Sequence, residues 1–511
     1  MRRGRGRGQT EASAIKAPAV NQLSWRHIDN NWSPVEPLPP EHLEKVHDKS
    51  MEIVENLGIK VLSQTARDLY RGASAEVDDS TEFVRMDRDL LLDLVSTAPD
   101  KFTLTPRNPD KALLVGGNRI NFGMVSGTPN AHDAINGRRA GNLADYIKFI
   151  KLGQYFNIIH FFGNQTLSTN DLPANTRHLD TTRINLTLTD KIFMALSIGR
   201  GRVTDACNMV AIARGISNEA LAESPTAITN INVNSPRVLD TEMSDAAITM
   251  AERGQGLTVT PFTLMGAMTP VTMAAACAQA NAEALLTIAL TQIVRPGAPV
   301  VYGNFTSNVD LRSGSPTFGT PENAKANLIG GQLARRYKLP HRTSACNASN
   351  CVDAQATWET QMSLWGAVQT HGNMIYHSAG WLEGGLVASF EKFIIDVEML
   401  QYQARLLEPV DVSDEEFGLD SMVEAGAGGH FFGTAHTMER YQTAFHEPFV
   451  TDWRTNENWT ADGAKTATER ATEIWQKVLE DYEEPVLQQD RKEQLDEYVA
   501  KRKEEIGDGE P

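Results

Sequence analysis

Residues 299–385 open with PVVYGNFTSNVDLRSGSPTFGTPENA (299–324), pass through HRTSACNASNCVDAQATWE (341–359) and close with NMIYHSAGWLEGG (373–385). Three short apolar runs, 299–305, 341–346 and 374–377, each deliver the chain into a loop rich in Asn, Ser, Gly and aromatic residues. Each loop then gives way to a helical pattern. Strand, loop and helix in repetition is how a parallel α/β barrel collects a site, because the loops after its strands share one mouth.

Outward from this stretch the same beat repeats. Candidate strands fall at 158–163, 192–197, 226–233, 257–264, 299–305, 341–346, 374–378 and 429–433. Eight short apolar runs separated by helical segments favour a closed (β/α)8 TIM barrel over an open doubly wound sheet. Thr269-Pro270 and Thr320-Pro321 each combine an N-cap with proline at the first helical position. Gly330 and Gly331 inside the second of these helices predict close packing or a bend. The expected organisation is a disordered basic and Pro-rich arm (1–40), an N-terminal α/β preface (41–134), the barrel (135–440) and a C-terminal helical extension with a frayed end (441–511).

Composition narrows the function. The 511 residues carry a formal charge of -17, which repels nucleic acid and acidic membranes. No apolar run in the sequence reads as a bilayer span, and the N-terminus lacks the apolar segment of a secretory signal, so a cytoplasmic protein is expected. Four cysteines, Cys207, Cys277, Cys346 and Cys351, are too few for a disulfide framework in a chain of this size.

The residues expected just past the strands are mostly amides and aromatics: Asn164 and Gln165; Asn230, Asn232 and Asn234; Phe262; Tyr302, Asn304 and Phe305; Cys346, Asn347, Asn350 and Cys351; His377, Trp381 and Glu383; and His436. Paired carboxylates and phosphate-binding Gly-rich loops are missing from this set, whereas quaternary ammonium groups bind over aromatic faces. Tyr302, Phe305, Phe318, Trp358, Tyr376 and Trp381 are the candidate cage, with burial in the core as the alternative for each. The CNASNC segment offers too few ligands for zinc, and no bound metal is expected. His377 is either a substrate-orienting group or a core histidine, and Glu383 either a site residue or a helix-start carboxylate.

The segments FTLMGAMTPVTMAAACAQANAEALL, IVRPGAPVVYG, SGSPTFGTPE, AGWLEGGLVASFEKFIIDVE and GHFFGTAHTMERYQTAF together resemble the trimethylamine methyltransferase family, over about residues 40–485. The resemblance implies a (β/α)8 barrel that moves a methyl group from a methylated amine to the cobalt of a corrinoid on a separate small carrier protein. It places the family's pyrrolysine at Cys351, with Gln355 as the downstream anchor, which makes Cys351 either a small apolar wall of the pocket or the catalytic candidate; this chain has no pyrrolysine and is similar to the branch that includes glycine betaine:corrinoid methyltransferases. A quaternary nitrogen already carries the charge that makes a neutral amine its leaving group, so no activating acid is required. On this reading Tyr302, Asn304, Phe305, Asn347, Tyr376, His377, Trp381 and Glu383 bind substrate, with Asn232, Asn304, Asn347 or His377 donating to a carboxylate tail. No DxHxxG segment is present, so the corrinoid is expected in trans, and a homo-oligomer is expected. The competing readings are a non-catalytic quaternary-amine binding or sensor protein, a methyltransferase for another methylated amine or sulfonium compound, and a barrel lyase or aldolase. The last needs a strand-end lysine or metal that the predicted strands do not supply.

Overall fold

The structure, a computed structural model, describes residues 18–163 and 165–511. Eight parallel strands organise the chain: β1 (Arg119–Phe122), β2 (Phe161–Phe162), β3 (Ile192–Ala195), β4 (Ile228–Val233), β5 (Gly256–Met265), β6 (Val300–Gly303), β7 (His341–Ser344) and β8 (Met374–Tyr376). From β2 onward each pairs in parallel with the next in the chain. β8 pairs back onto β1 through Met374↔Asn121 and Ile375↔Phe122. A parallel bridge, Gly123↔Phe161, joins β1 to β2.

A helix follows every strand: α1 (Leu143–Tyr155), α2 (Arg177–Leu188), α3 (Gly199–Arg214), α4 (Thr241–Glu252), α5 (Met273–Val294), α6 (Pro321–Arg336), α7 (Ala354–Gln369) and α8 (Phe390–Leu406). The starts follow local chemistry. Thr320 Oγ1 accepts from Asn323 N–H with Pro321 at the first helical position, and Asp353 and Ser389 cap α7 and α8 in the same way. The Thr269-Pro270 device is not used: α5 begins at Met273, after a bridge between Met265 and Thr269. α5 is 22 residues long and apolar enough by composition to cross a membrane, but 83% of its most apolar window is buried, which makes it a core helix. α6 runs through Gly330 and Gly331 without a break. A Cβ at Gly330 would meet Asn304 and one at Gly331 would lie 1.7 Å from Thr370 Oγ1, so close packing rather than a bend accounts for both.

Seven of the eight expected strands overlap observed ones. The eighth, 429–433, is turn and irregular backbone with Phe432 84% exposed. Its place in the sheet is taken by β1, from the stretch expected to be a preface. The rest of that stretch includes a two-strand ladder, Lys101–Leu104 with Leu113–Gly116. Leu104, Leu113 and Val115 join Phe161, Ile192, Met194, Ile228, Val301, Met374 and Tyr376 in an apolar cluster separate from the main one. The larger cluster lies between strands and helices and includes Tyr302, Leu257 and Val259. Alternate residues of β6 therefore divide between the two, Val301 to one and Tyr302 to the other, as the two-residue strand period requires.

The expectation of a disordered arm lies outside the described residues for 1–17 and is corrected for 18–40. Ile28–Asp29 pairs antiparallel with β1, Trp25 packs edge-on against His160 at 5.1 Å, and Val35 N–H donates to Gln369 O. The apolar residues Val20, Leu23, Trp25 and Ile28 outweigh the prolines that follow. At the other end the chain forms helices Ala467–Asp481 and Gln489–Ile506. They are not purely solvated: Trp475 donates to Glu391 Oε1 (3.0 Å), and Asp205 accepts from Tyr498 and Arg502, both at 2.8 Å. The final residues, expected to fray, are held by Asn175, which donates to the carbonyls of Gly507 and Gly509.

Candidate functional site

A cavity of about 450 Å³ lies at the C-terminal ends of the strands, lined by Met194, Asn230, Asn232, Val233, Phe262, Phe305, Arg342, Tyr376, His377 and Trp381 together with Ser126, Gly127, Asn234, Ser235 and Met268. Its aromatic side is a connected set of rings. Phe305 lies 5.1 Å from Phe262, 5.6 Å from His377 and 6.3 Å from Trp381; the His377 and Trp381 rings are 4.1 Å apart. Phe318 stacks behind Phe305 at 5.2 Å and meets Trp381 edge-on. The opposite side is amide: Asn230 donates to Asn232 Oδ1 (2.6 Å) and accepts from Thr260 Oγ1 (2.9 Å), and Asn232 and Asn234 are exposed at the rim.

The predicted residues divide between this cavity and the packing around it. Phe305, Tyr376, His377 and Trp381 line it, as do Asn230, Asn232, Asn234 and Phe262. Tyr302 faces the helices, where its hydroxyl donates to Asn281 Oδ1 at 3.0 Å. Asn304 donates to Ala326 O and meets His341 Nε2, which commits it to α6 and β7. Asn347 donates to Thr360 Oγ1 and to the carbonyl of Trp381, and its own carbonyl accepts from Trp381 Nε1 (3.1 Å). It positions the tryptophan and does not line the cavity. Glu383 forms an ion pair with Arg138 (3.0 Å), and Trp358 is 62% exposed on α7.

Cys351, the position matched to pyrrolysine, is exposed before α7 with Sγ 3.2 Å from Asp353 Oδ2; that contact raises its thiol pKa, and it is not among the lining residues. Cys346 is buried, 3.9 Å from His377 Nδ1, with burial pushing its thiol up to about 12. Neither pairs with the other. His436 lies beside Gly418, in the segment that follows α8, and Asn164 falls outside the described residues.

One lining residue was not anticipated. Arg342, on β7, is only 2% exposed, and its guanidinium sits 4.5 Å over the Tyr376 ring and 4.9 Å over that of Phe305. Two rings proposed to cage an external cation are thus already in contact with an internal one. The signal was present in HRTS: an arginine in the middle of a buried parallel strand is unusual enough to demand a partner. Burial lowers its pKa to about 10, which leaves it charged at neutral pH. His377 is held well below the ordinary histidine range by burial and by the nearby Arg342, so its imidazole is neutral. Its backbone adopts φ 59°, a left-handed turn at the end of β8.

No ionised acid lines the cavity, and among the described residues no group of three or more His, Cys, Asp or Glu could hold a metal ion. The arrangement is therefore that of an organic-ligand site on a parallel α/β scaffold, built for binding and orientation. The chain belongs to the trimethylamine methyltransferase (MTTB) family, whose model matches residues 2–507. It is 31% identical over 472 residues to a glycine betaine methyltransferase of Desulfitobacterium hafniense (strain Y51), covering 92% of this chain and 98% of that one. A proline betaine:corrinoid methyltransferase of Eubacterium limosum is 25% identical over 89% of this chain and 96% of its own. In fold, the chain is similar to the monomethylamine methyltransferase (MtmB) of Methanosarcina barkeri, with TM-score 0.50 at 11% identity, over 89% of this chain and 97% of that one.

Proposed function

We propose that this protein transfers a methyl group from a betaine-type quaternary amine to the corrinoid of a separate carrier protein. The observation that carries the reading is the cavity itself: aromatic faces, amides and a neutral histidine at the strand ends, with no acid, metal cluster or strand-end lysine among its lining residues. A quaternary ammonium substrate asks for this. Its nitrogen needs no proton, since a neutral tertiary amine departs when the methyl leaves, and the protein has to desolvate the head, hold it against Trp381 and Phe262, and point one methyl outward. Membership of the family, and the names of the relatives that act on glycine betaine and proline betaine, support the same class.

The eight parallel strands are best read as a closed (β/α)8 barrel starting at β1, with residues 18–118 and the C-terminal helices as its additions. The parallel ladder from β2 to β8, its return to β1 and the Gly123↔Phe161 bridge support that reading. A corrinoid, when brought by its carrier, supplies a strongly nucleophilic cobalt as methyl acceptor. The exposed rim at Asn232 and Asn234 leaves the cavity open on the side from which a carrier would approach.

The test follows the visible spectrum of a reduced corrinoid carrier on addition of this protein with glycine betaine, proline betaine, carnitine, choline or trimethylamine. Demethylation of a quaternary amine, dependent on this protein and absent with trimethylamine, is the expected result. Spectral silence with every compound, while one still binds in calorimetry, would replace the methyltransferase by a binding protein.

A further inference from the structure

We infer that Arg342 is the receptor for an anionic group on the ligand, so that the site selects zwitterions and holds their quaternary head outward. The inference deepens the proposed function and rests on it for the methylated head alone; the anion site stands on its own geometry.

The argument begins with what Arg342 lacks. Its side chain lines the cavity at 2% exposure, yet among the described residues no carboxylate pairs with it. Of five N–H donors, Nη1 reaches Asn304 O at 3.3 Å, and Nε has no partner. A buried charge left without a counter-ion destabilises a fold, so stability does not explain this arginine. The two rings explain its posture. Cation–π contact with Phe305 and Tyr376 holds the guanidinium at the cavity wall, and apart from Nη1 its donors have no hydrogen-bond partner among the described residues, which leaves them for the oxygens of a carboxylate.

The same charge sets specificity. Neighbouring His377 is neutral and the amides of Asn230 and Asn232 carry no net charge, so Arg342 gives the empty cavity a positive interior. A bare quaternary cation such as choline is repelled there. A betaine brings its own counter-charge: the carboxylate meets Arg342, and the ammonium is displaced along the molecule toward Trp381, Phe262 and the open rim, where its methyl groups face a docking carrier.

Calorimetry without any carrier tests this with three ligands: glycine betaine, choline, and 3,3-dimethylbutanoate, which keeps the shape and carboxylate of betaine but has carbon in place of nitrogen. Glycine betaine is expected to bind at least about a hundredfold more tightly than choline, and dimethylbutanoate to bind measurably. Arg342→Met should weaken betaine about a hundredfold and improve choline, with Arg342→Lys between, while the melting temperature of Arg342→Met is unchanged or raised. Equal wild-type affinity for choline and betaine, or undiminished betaine binding by Arg342→Met, overturns the inference. Methyl transfer from choline as fast as from betaine would sink it and leave the methyltransferase reading standing. Betaine selectivity through Arg342 without methyl transfer to any carrier would do the reverse.

Discussion

Removing one charge from the buried pair Lys392–Asp396 should cost far more than removing both. The two side chains on α8 are 0% and 1% exposed. Lys392 Nζ also donates to Thr360 Oγ1 (2.9 Å), the same hydroxyl that accepts from Asn347 (3.1 Å), and Asp396 Oδ2 accepts from Gly380 N–H (2.9 Å). The pair thus ties α8 to α7 and to the loop that carries His377 and Trp381. Lys392→Met strands a carboxylate in the core, for which ~3–5 kcal/mol of lost stability is expected. The double variant Lys392→Met/Asp396→Asn retains an acceptor for Gly380 and no charge, so it should lose no more than ~1–2 kcal/mol; with Asp396→Asn alone costing the same ~3–5 kcal/mol as Lys392→Met, the coupling is at least about 4 kcal/mol. Urea unfolding followed by tryptophan fluorescence measures all members of the cycle. A Lys392→Met protein that unfolds at the wild-type midpoint, or a double variant as unstable as the sum of the singles, would refute this account. Loosening of Trp381 should appear as weaker betaine binding in the single variant, restored in the double.

Four shorter predictions follow from the same geometry. Burial holds His160 and His341 near a pKa of about 3, against ~6.5 when unfolded, so the unfolded chain takes up protons first as pH falls. Stability from these two groups is complete above about pH 6.5 and is lost toward pH 3 at ~1.4 kcal/mol per histidine per pH unit; His341→Asn should remove one histidine's share of that slope. Trp381→Ala should weaken betaine about 5- to 30-fold, the ~1–2 kcal/mol of a desolvated cation–π contact, measured by calorimetry. Cys351→Ser should leave betaine binding and methyl transfer within about twofold, because the thiol lies outside the cavity; a tenfold loss would give it a role in the reaction. Gly331→Ala puts a Cβ 1.7 Å from Thr370 Oγ1 and should cost ~1–3 kcal/mol in thermal unfolding.

The sheet was legible where apolar runs stood alone between helical patterns, as at Ile228–Val233 and Met374–Tyr376. β1 was not. RINF is four residues between GGN and GMVSG, and its membership depends on pairing with Met374 and Ile375 some 250 residues later, which no local pattern records. GHFFG deceived in the opposite direction, since two adjacent phenylalanines outside any sheet look like a strand end. In the site, loop position identifies Phe305, His377 and Trp381, whereas Tyr302 falls on the helix-facing side of its strand, one residue out of phase with Val301. A shift of one residue turns a side chain from one face of a sheet to the other. Arg342 carries no strand-end signal, because its side chain reaches the cavity from within β7.

The pairing of β1 with β8 also bears on how the chain is made. Asn121 and Met374 are partners, and Asn121 Nδ2 donates to Asn373 O across 252 residues. A ribosome adding about 5–20 residues per second needs roughly 13–50 s to travel that distance. For that interval the nascent β1 has an edge that only β8 can cover, and an uncovered strand edge is a template for the wrong neighbour. Slow, non-local closure of this kind favours cells that shelter the emerging polypeptide. Yield of soluble protein should therefore respond to growth temperature and chaperone supply more than to any substitution in the cavity.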